Sequence, residues 1–187
     1  AGFFKEVIQH KRGFVETRNS IRRQSEGVYA ILHYLNYEKK NGRNHPEWEA
    51  RIRTMLDHFV ALQKEDGSFP RKFMNDFTVV DESGGSTPSA TLPLVMAYKY
   101  FGDERYLESA KRSVDYLENE IISKSDYFSS TLDANCEDKE ASLYASTAAY
   151  YLALATSGEE REHYASLAKE AAYFALSFIH SLHKHSP

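Results

Sequence analysis

Apolar residues recur at helical spacing along nearly the whole chain, and polar residues gather between the apolar segments. Apolar positions three and four apart fall on one face of a helix, so the pattern predicts seven helices and no strand. The helix ends are marked by Gly13 and Asn41-Gly42, and Pro46 stands near a first helical turn. The predicted helices cover about 3–12, 21–40, 46–63, 87–101, 103–123, 139–156 and 160–182.

The helices alternate in character and repeat every 56 to 58 residues. Trp48, Tyr106 and Tyr164 lie 58 apart, and "FGDERY" at 101–106 parallels "SGEERE" at 157–162 with an offset of 56. The first helix of each unit is apolar on nearly every side, which indicates an inner helix, whereas the second is amphipathic and therefore outer. Repeated hairpins of this kind build solenoids or closed rings. The helix at 3–12 is expected to be an outer helix without its inner partner.

Composition narrows the functional classes. The chain has 187 residues, 13% of them aromatic, which is enough for one well-packed core and indicates a single domain over residues 1–187. The net charge of −4 gives no reason to expect nucleic acid or an anionic membrane as a partner. No segment reaches the ~18 apolar residues that span a bilayer. One cysteine, Cys136, excludes an internal disulfide framework, and the residue is expected to be small and buried.

Two connections are much longer than the others, at about 64–86 and 124–138. Loops longer than ~12–15 residues are usually functional. Each precedes an inner helix, so both are expected on one face, at the N-terminal ends of the inner helices. Their acidic and aromatic residues make up the candidate site: Asp66, Phe69, Phe73, Asp76, Phe77, Asp81 and Glu82 in the first loop, and Tyr127, Phe128, Asp133, Asn135, Glu137 and Asp138 in the second.

Carboxylates beside aromatic rings suit sugar recognition, because rings stack on pyranose faces while carboxylates bind hydroxyls or transfer protons. Simpler roles are open for individual residues. Asp66 in "DGSF" is typical of a turn, and Asp138 can cap the helix that follows it together with Asn135. The three C-terminal histidines match no metal site, and no motif for a cofactor or a phosphate is present.

The inner and outer hairpins, the acidic–aromatic loops and the segment "LQKEDGSFP" resemble the α/α-toroid carbohydrate-active enzymes, which are the six-hairpin glycosidases and their polysaccharide-lyase relatives. "DGSF" also resembles a repeat of terpene cyclases and prenyltransferases, but their D-x-D-D acid motif and zinc ligands are not seen. The resemblance implies an all-α fold and a cleft at the N-terminal ends of the inner helices, with Asp or Glu as acid and base. The candidates for these catalytic roles are Asp76, Asp133, Glu137 and Asp138. The other loop residues named above, together with Tyr144, are expected to bind substrate.

The resemblance also concerns partners and location. A complete toroid needs about six hairpins, whereas this sequence predicts three and a half, about half of a ring. A second copy of the chain or the remainder of the same chain is therefore expected to cover its ends. An oligo- or polysaccharide is the expected ligand, without a cofactor, and a periplasmic or extracellular location is suggested by the resemblance alone.

Three functions stay open from the sequence. The first is glycoside hydrolysis by paired carboxylates. The second is elimination by a polysaccharide lyase, in which Tyr144, near the start of an inner helix, is a candidate to abstract a proton. The third is a helical-repeat binding module without catalysis. Clustered carboxylates repel one another, so the hydrolase hypothesis predicts that at least one loop acid has a raised pKa.

Overall fold

The structure is a computed structural model that describes residues 2–5, 8–9, 14–15, 18–128 and 136–183, with side chains described only to residue 178 and not at 8–9 or 14–15. Six α-helices lie within these residues. They are α1 (Ile21–Lys40), α2 (Pro46–Leu62), α3 (Thr87–Phe101), α4 (Glu104–Leu117), α5 (Lys139–Ala153) and α6 (Gly158–His183). A π-helical turn at Glu118–Ile122 extends α4. The predicted positions of these six helices are confirmed.

The predicted helix at 3–12 is wrong. Strand β1 (Ile8–Gln9) pairs antiparallel with β2 (Phe14–Val15), and residues 2–5 have no regular structure. The backbone of Phe4 is held by α1, because its N–H donates to Oε1 of Gln24 and its carbonyl accepts from Nε2, both at 2.9 Å. Tertiary contacts of this kind override the helical spacing of a short segment.

The long loop at 64–86 also contains strands, although none was predicted. Strands β3 (Arg18–Ser20), β4 (Lys72–Met74) and β5 (Val79–Asp81) form an antiparallel sheet in that order. The apolar residues of this loop are few and do not alternate over the four or more positions that indicate a strand, so the pattern was too short to show the sheet.

The inner helices pack side by side, with α3 between α1 and α5, and each outer helix packs on the inner helix before it. Only α3 is buried on nearly all sides, from Thr87 to Val95. Burial of α1 and α5 is no greater than that of the outer helix α4, so the expected contrast between inner and outer helices holds for α3 alone. The reason is position: α3 has an inner neighbour on both sides, whereas α1 and α5 have one.

The ends of this row expose large apolar side chains. Leu143, Tyr150 and Leu154 form a strip along α5 and are each about half exposed. Such a strip agrees with the expectation of an uncovered apolar end, and what covers it stays a prediction. Among the described residues, no helix combines the length and apolar character needed to cross a membrane.

The "DGSF" segment anchors the first long loop to the helices. Ser68 donates its backbone N–H to Oδ1 of Asp66 at 2.9 Å, which confirms the predicted turn, and Gly67 has φ +87°. The hydroxyl of Thr87 accepts the backbone N–H of Phe69 at 3.0 Å in the buried interior. Thr87 is therefore both the first residue of α3 and an anchor for the loop.

Candidate functional site

The N-terminal halves of α1 and α5 are connected across a groove by two pairs of polar side chains. Arg22, in the first turn of α1, donates to both carboxylate oxygens of Glu140 at 3.0 and 2.9 Å. One turn further along, the hydroxyl of Tyr144 donates to Oε1 of Glu26 at 2.6 Å. Both pairs join residues 118 apart in sequence, so this cluster exists only because the helices pack as they do.

Arg22 is the electrostatic centre of the cluster. Its Nε donates to Oε1 of Glu26 at 3.0 Å, and its guanidinium lies 5.3 Å from the centroid of the Tyr144 ring. Burial alone lowers the pKa of Arg22, but the hydrogen bond to Glu26 and the interactions with Tyr144 and Glu140 outweigh it and raise the pKa above its ordinary value. The cluster therefore holds one permanent positive charge between two carboxylates.

A cavity of about 250 Å³ lies beside this cluster, and its lining comes from the N-terminal halves of all three inner helices. Its lining residues are Ser25, Glu26, Tyr29, Ser89, Leu92 and Tyr144. Ser25 and Ser89 are 1% and 2% exposed, and neither hydroxyl has a hydrogen-bond partner. An unsatisfied buried hydroxyl costs on the order of 1–3 kcal/mol, so the two serines favour a ligand that supplies partners.

Two tyrosines mark the end of this cavity toward the C-terminal ends of the inner helices. The hydroxyls of Tyr29 and Tyr151 lie 2.8 Å apart. Burial, and then the hydrogen bond to Tyr151, raise the pKa of Tyr29 to about 12. Beyond the pair is a second cavity of about 180 Å³, lined by Leu32, Asn36, Met96, Lys99, Tyr100 and Tyr151.

Tyr144, named from the sequence, does lie in the groove. Burial, followed by its hydrogen bond to Glu26, raises the pKa of Tyr144 to about 12. The side chain is therefore a neutral phenol at physiological pH, and it acts as a hydrogen-bond donor to the carboxylate.

The acids of the first long loop form local turns and do not line the cavity. Each of three aspartates accepts the backbone N–H of the residue two positions on, at 2.9 to 3.0 Å; the pairs are Asp66–Ser68, Asp76–Thr78 and Asp81–Ser83. The side chain of Glu82 is exposed. These acids occupy the face that the sequence predicted, but their carboxylates are engaged in shaping the loop.

The predicted raised pKa is wrong for these three aspartates. The backbone N–H of Thr78 lowers the pKa of Asp76. Burial raises the pKa values of Asp66 and Asp81, but hydrogen bonds from the serine two positions on, with nearby cations, outweigh it and lower both. Hydrogen bonds to a carboxylate favour its charged form, so none of the three is prepared as a general acid.

The aromatic residues of this loop pack mostly inward. Phe69 and Phe73 are fully buried in the core, so neither ring is presented to a ligand as their predicted role requires. Phe77 is 37% exposed and packs its ring edge-on against His58, with centroids 4.8 Å apart. It has φ +70°, which is strained for a bulky residue and occurs in the turn between β4 and β5.

In the second loop, Asp133 and Asn135 lie outside the described residues. Tyr127 is 1% exposed and stacks on Phe174, which indicates packing instead of sugar binding. Phe128 is half-buried and forms an isolated backbone bridge with Glu137. Cys136 is exposed, which corrects the expectation that it is buried.

Asp138 is the N-cap of α5. Its carboxylate accepts the backbone N–H of Glu140 at 2.9 Å, and its own N–H donates to the carbonyl of Tyr127 at 2.9 Å. The capping role that the sequence left open is therefore present. A cap and a catalytic role are not mutually exclusive, so the catalytic roles of Asp76, Asp133, Glu137 and Asp138 stay predictions.

Apart from Tyr144, sequence reasoning missed the groove-facing residues of the helices themselves. Arg22, Glu26 and Tyr29 lie four and three apart on one face of α1, and Glu140 and Tyr144 repeat the spacing of four on α5. That spacing was the available signal: polar residues on one stripe at the start of an otherwise apolar helix. No group of three or more metal-binding side chains occurs among the residues described.

No protein-family model matches the sequence, and no curated protein matches it. Two solved structures resemble the fold. Unsaturated glucuronyl hydrolase from Bacillus sp. GL1, described as responsible for the degradation of glycosaminoglycan, has a TM-score of 0.71 at 15% identity. A structure of a UGL variant with dGlcA-Glc-Rha-Glc has a TM-score of 0.70, also at 15% identity.

Each comparison covers 93% of this chain and 50% of the solved chain, so this chain spans about half the length of the structures it resembles. The resemblance establishes the fold: three helical hairpins arranged as about half of an α/α toroid. The predicted all-α fold and the resemblance drawn from the sequence are confirmed at this level.

Proposed function

We propose that this chain is a carbohydrate-active enzyme domain of the glycoside hydrolase kind, and that its saccharide binds in the groove between α1 and α5. The observation that carries the proposal is the 250 Å³ cavity at the N-terminal ends of the inner helices, where the buried hydroxyls of Ser25 and Ser89 have no partner. A saccharide offers hydroxyls that both donate and accept, which is the chemistry that two serine hydroxyls require. The likeness to a glucuronyl hydrolase fold supports this assignment.

Hydrolysis of a glycosidic bond uses two carboxyl groups, one as acid and one as base or nucleophile. Glu26 and Glu140 are the carboxylates of the groove, and both are held in place by Arg22. The sequence candidates Asp76, Asp133, Glu137 and Asp138 are retained as the other possible contributors from the loops. Glu26 has the stronger case for contact with a ligand, because it lines the cavity.

The lyase alternative has less support. A lyase needs a base to remove a proton, and Tyr144 was its candidate. With the pKa of Tyr144 raised to about 12, and its proton donated to Glu26 at 2.6 Å, the phenol is a poor base at neutral pH. The binding-module alternative is distinguished from hydrolysis by turnover alone.

The test is a screen of defined oligosaccharides for binding, by ligand-observed NMR, and for turnover. Release of new reducing ends without a new ultraviolet-absorbing double bond supports hydrolysis, and formation of the double bond supports elimination. Binding without turnover supports a binding module. We expect Ser89→Val, which replaces the hydroxyl by methyl groups and narrows the cavity, to weaken binding at least about tenfold, equivalent to ~1.4 kcal/mol. Ser166→Val, at an exposed position of α6, is the matched control and should change nothing. Absence of binding across the screen would overturn the proposal.

A further inference from the structure

The charges of the groove do not match an acidic sugar. Its polar cluster contains two carboxylates, on Glu26 and Glu140, and one guanidinium, on Arg22, which leaves a net charge of −1. Among the described residues that line the 250 Å³ cavity there is no lysine, arginine or histidine. Lys99 lines the second cavity, beyond the Tyr29–Tyr151 pair.

Most of the N–H groups of the Arg22 guanidinium already donate hydrogen bonds within the protein. Three of its N–H groups donate to carboxylate oxygens, one to Glu26 and two to Glu140. Bidentate pairing between a guanidinium and a carboxylate is among the stronger hydrogen-bonded contacts in proteins. A ligand carboxylate that paired with Arg22 in the same bidentate way would have to displace Glu140 and would leave that side chain as an unpaired negative charge beside it.

The remaining surface of the cavity suits an uncharged sugar ring. The hydroxyls of Ser25 and Ser89 can each donate and accept, while Leu92 and the tyrosine rings provide apolar faces. The volume is below the ~300–1,000 Å³ that is usual for drug-sized ligands, which indicates one sugar ring and not an extended chain.

We infer that the groove between α1 and α5 selects a neutral sugar ring and rejects a uronate. The inference rests on the proposed function, and it specifies a substrate class different from the glucuronyl group in the name of the solved hydrolase of similar fold. Electrostatic discrimination arises mainly from the penalty on the wrong ligand, here the repulsion between its carboxylate and those of Glu26 and Glu140.

The experiment compares two ligands that differ only at C6, methyl β-D-glucopyranoside and methyl β-D-glucopyranosiduronic acid, by NMR titration of the full chain at neutral pH and low salt. The neutral glucoside is expected to bind at least about tenfold more tightly. The Glu140→Gln variant removes one negative charge and releases Arg22 from its bidentate partner. It should shift the ratio of the two affinities by about tenfold toward the uronide, whatever its effect on the glucoside alone.

The matched control is Glu160→Gln, which removes the same charge from an ion pair with Lys111 between α4 and α6. It should leave the ratio of the two affinities unchanged. Equal or tighter binding of the uronide by the unmodified chain would overturn the inference while leaving the proposed function intact. The inference is also overturned if the Glu140→Gln variant is folded, as judged by circular dichroism, and has the same ratio of the two affinities as the unmodified chain. If neither sugar binds, the proposed function fails together with the inference.

Discussion

The guanidinium of Arg22 and the carboxylate of Glu140 form two parallel hydrogen bonds, at 3.0 and 2.9 Å, between the first turns of α1 and α5. A carboxylate at the N-terminus of α5 is favoured by the helix dipole, whereas a cation in the first turn of α1 is not. Glu140 and Glu26 together compensate Arg22. The pair thus holds together the two inner helices that form the walls of the groove.

We predict a measurable coupling energy for this pair. The two side chains are 20% and 42% exposed, so solvent screens them, and a double-mutant cycle of Arg22→Ala and Glu140→Ala should give about 0.5–1 kcal/mol. The free energies of unfolding come from urea denaturation. The coupling should decrease at high salt. Arg22→Ala combined with Glu160→Ala should be additive, and a coupling near zero for the first pair would show that the contact does not stabilise the groove.

The helices were predictable because the local spacing of apolar residues indicates each helix without information from distant segments. For example, the sequence of α3 is mostly apolar between Thr87 and Phe101, and the predicted limits match the structure. The N-terminal segment was not predictable, since Phe4 is held by the side chain of Gln24, a residue 20 positions away. Local spacing gives no information about a contact of that kind.

Gly67 is predicted to be irreplaceable in the "DGSF" turn. It has φ +87°, and a Cβ at this position would overlap the carbonyl oxygen of Arg112 on α4. Gly67→Ala therefore combines backbone strain with a clash against main-chain atoms, and should lower the free energy of unfolding by at least ~2 kcal/mol.

The matched control is Gly102→Ala at the end of α3. Gly102 has φ +71°, but a Cβ there meets nothing within 4 Å, so only the backbone strain of ~1 kcal/mol is expected. Chemical denaturation of both variants measures the difference. Equal losses of stability would show that the loop moves away from α4 to accommodate the new methyl group.

Glu38 is predicted to make the α1–α2 hairpin sensitive to acid. Its side chain is 6% exposed, and hydrogen bonds from Arg43 and then His45 lower its pKa to about 2. A carboxylate with a depressed pKa stabilises the fold above its unfolded pKa of ~4.3, and that stability is lost as the pH falls toward the folded value. The free energy of unfolding should therefore decrease between about pH 5 and pH 2.

Substitution isolates this contribution. Glu38→Gln should be less stable than the unmodified chain at neutral pH, and the difference should shrink as the pH approaches about 2, measured by urea denaturation across the range. Glu120→Gln, in an exposed pair with Lys124, is the control and should behave like the unmodified chain. A constant difference at every pH would contradict the assignment to Glu38.

The position of the candidate site was predictable more reliably than its residues. The sequence placed it at the N-terminal ends of the inner helices, and the cavity lined by Ser25, Ser89 and Tyr144 lies there. The residue predictions fell on the acid-rich loops because charged residues can be identified directly in a sequence. The burial of a serine cannot be identified in that way. Whether Ser89 has a hydrogen-bond partner depends on α1 and α5, which are distant in sequence from α3.

The last prediction concerns Asp138, which has both a structural and a proposed catalytic role. As the N-cap of α5 it accepts the N–H of Glu140, so Asp138→Ala should lower the free energy of unfolding by ~0.5–2 kcal/mol. Asp103→Ala, at the equivalent cap of α4, where the carboxylate accepts the N–H of Arg105, should cost a similar amount and serves as the reference.

Asp138→Asn separates the two roles, because asparagine is as good a cap as aspartate but cannot transfer a proton as a carboxylate does. We expect this variant to melt within a few tenths of a kcal/mol of the unmodified chain. If it keeps full turnover on a saccharide identified by the screen, Asp138 is a cap alone and is removed from the catalytic candidates. If it stays folded and loses turnover by about 100-fold or more, the carboxylate takes part in the reaction, since general acid–base catalysis typically contributes ~10²–10⁴-fold.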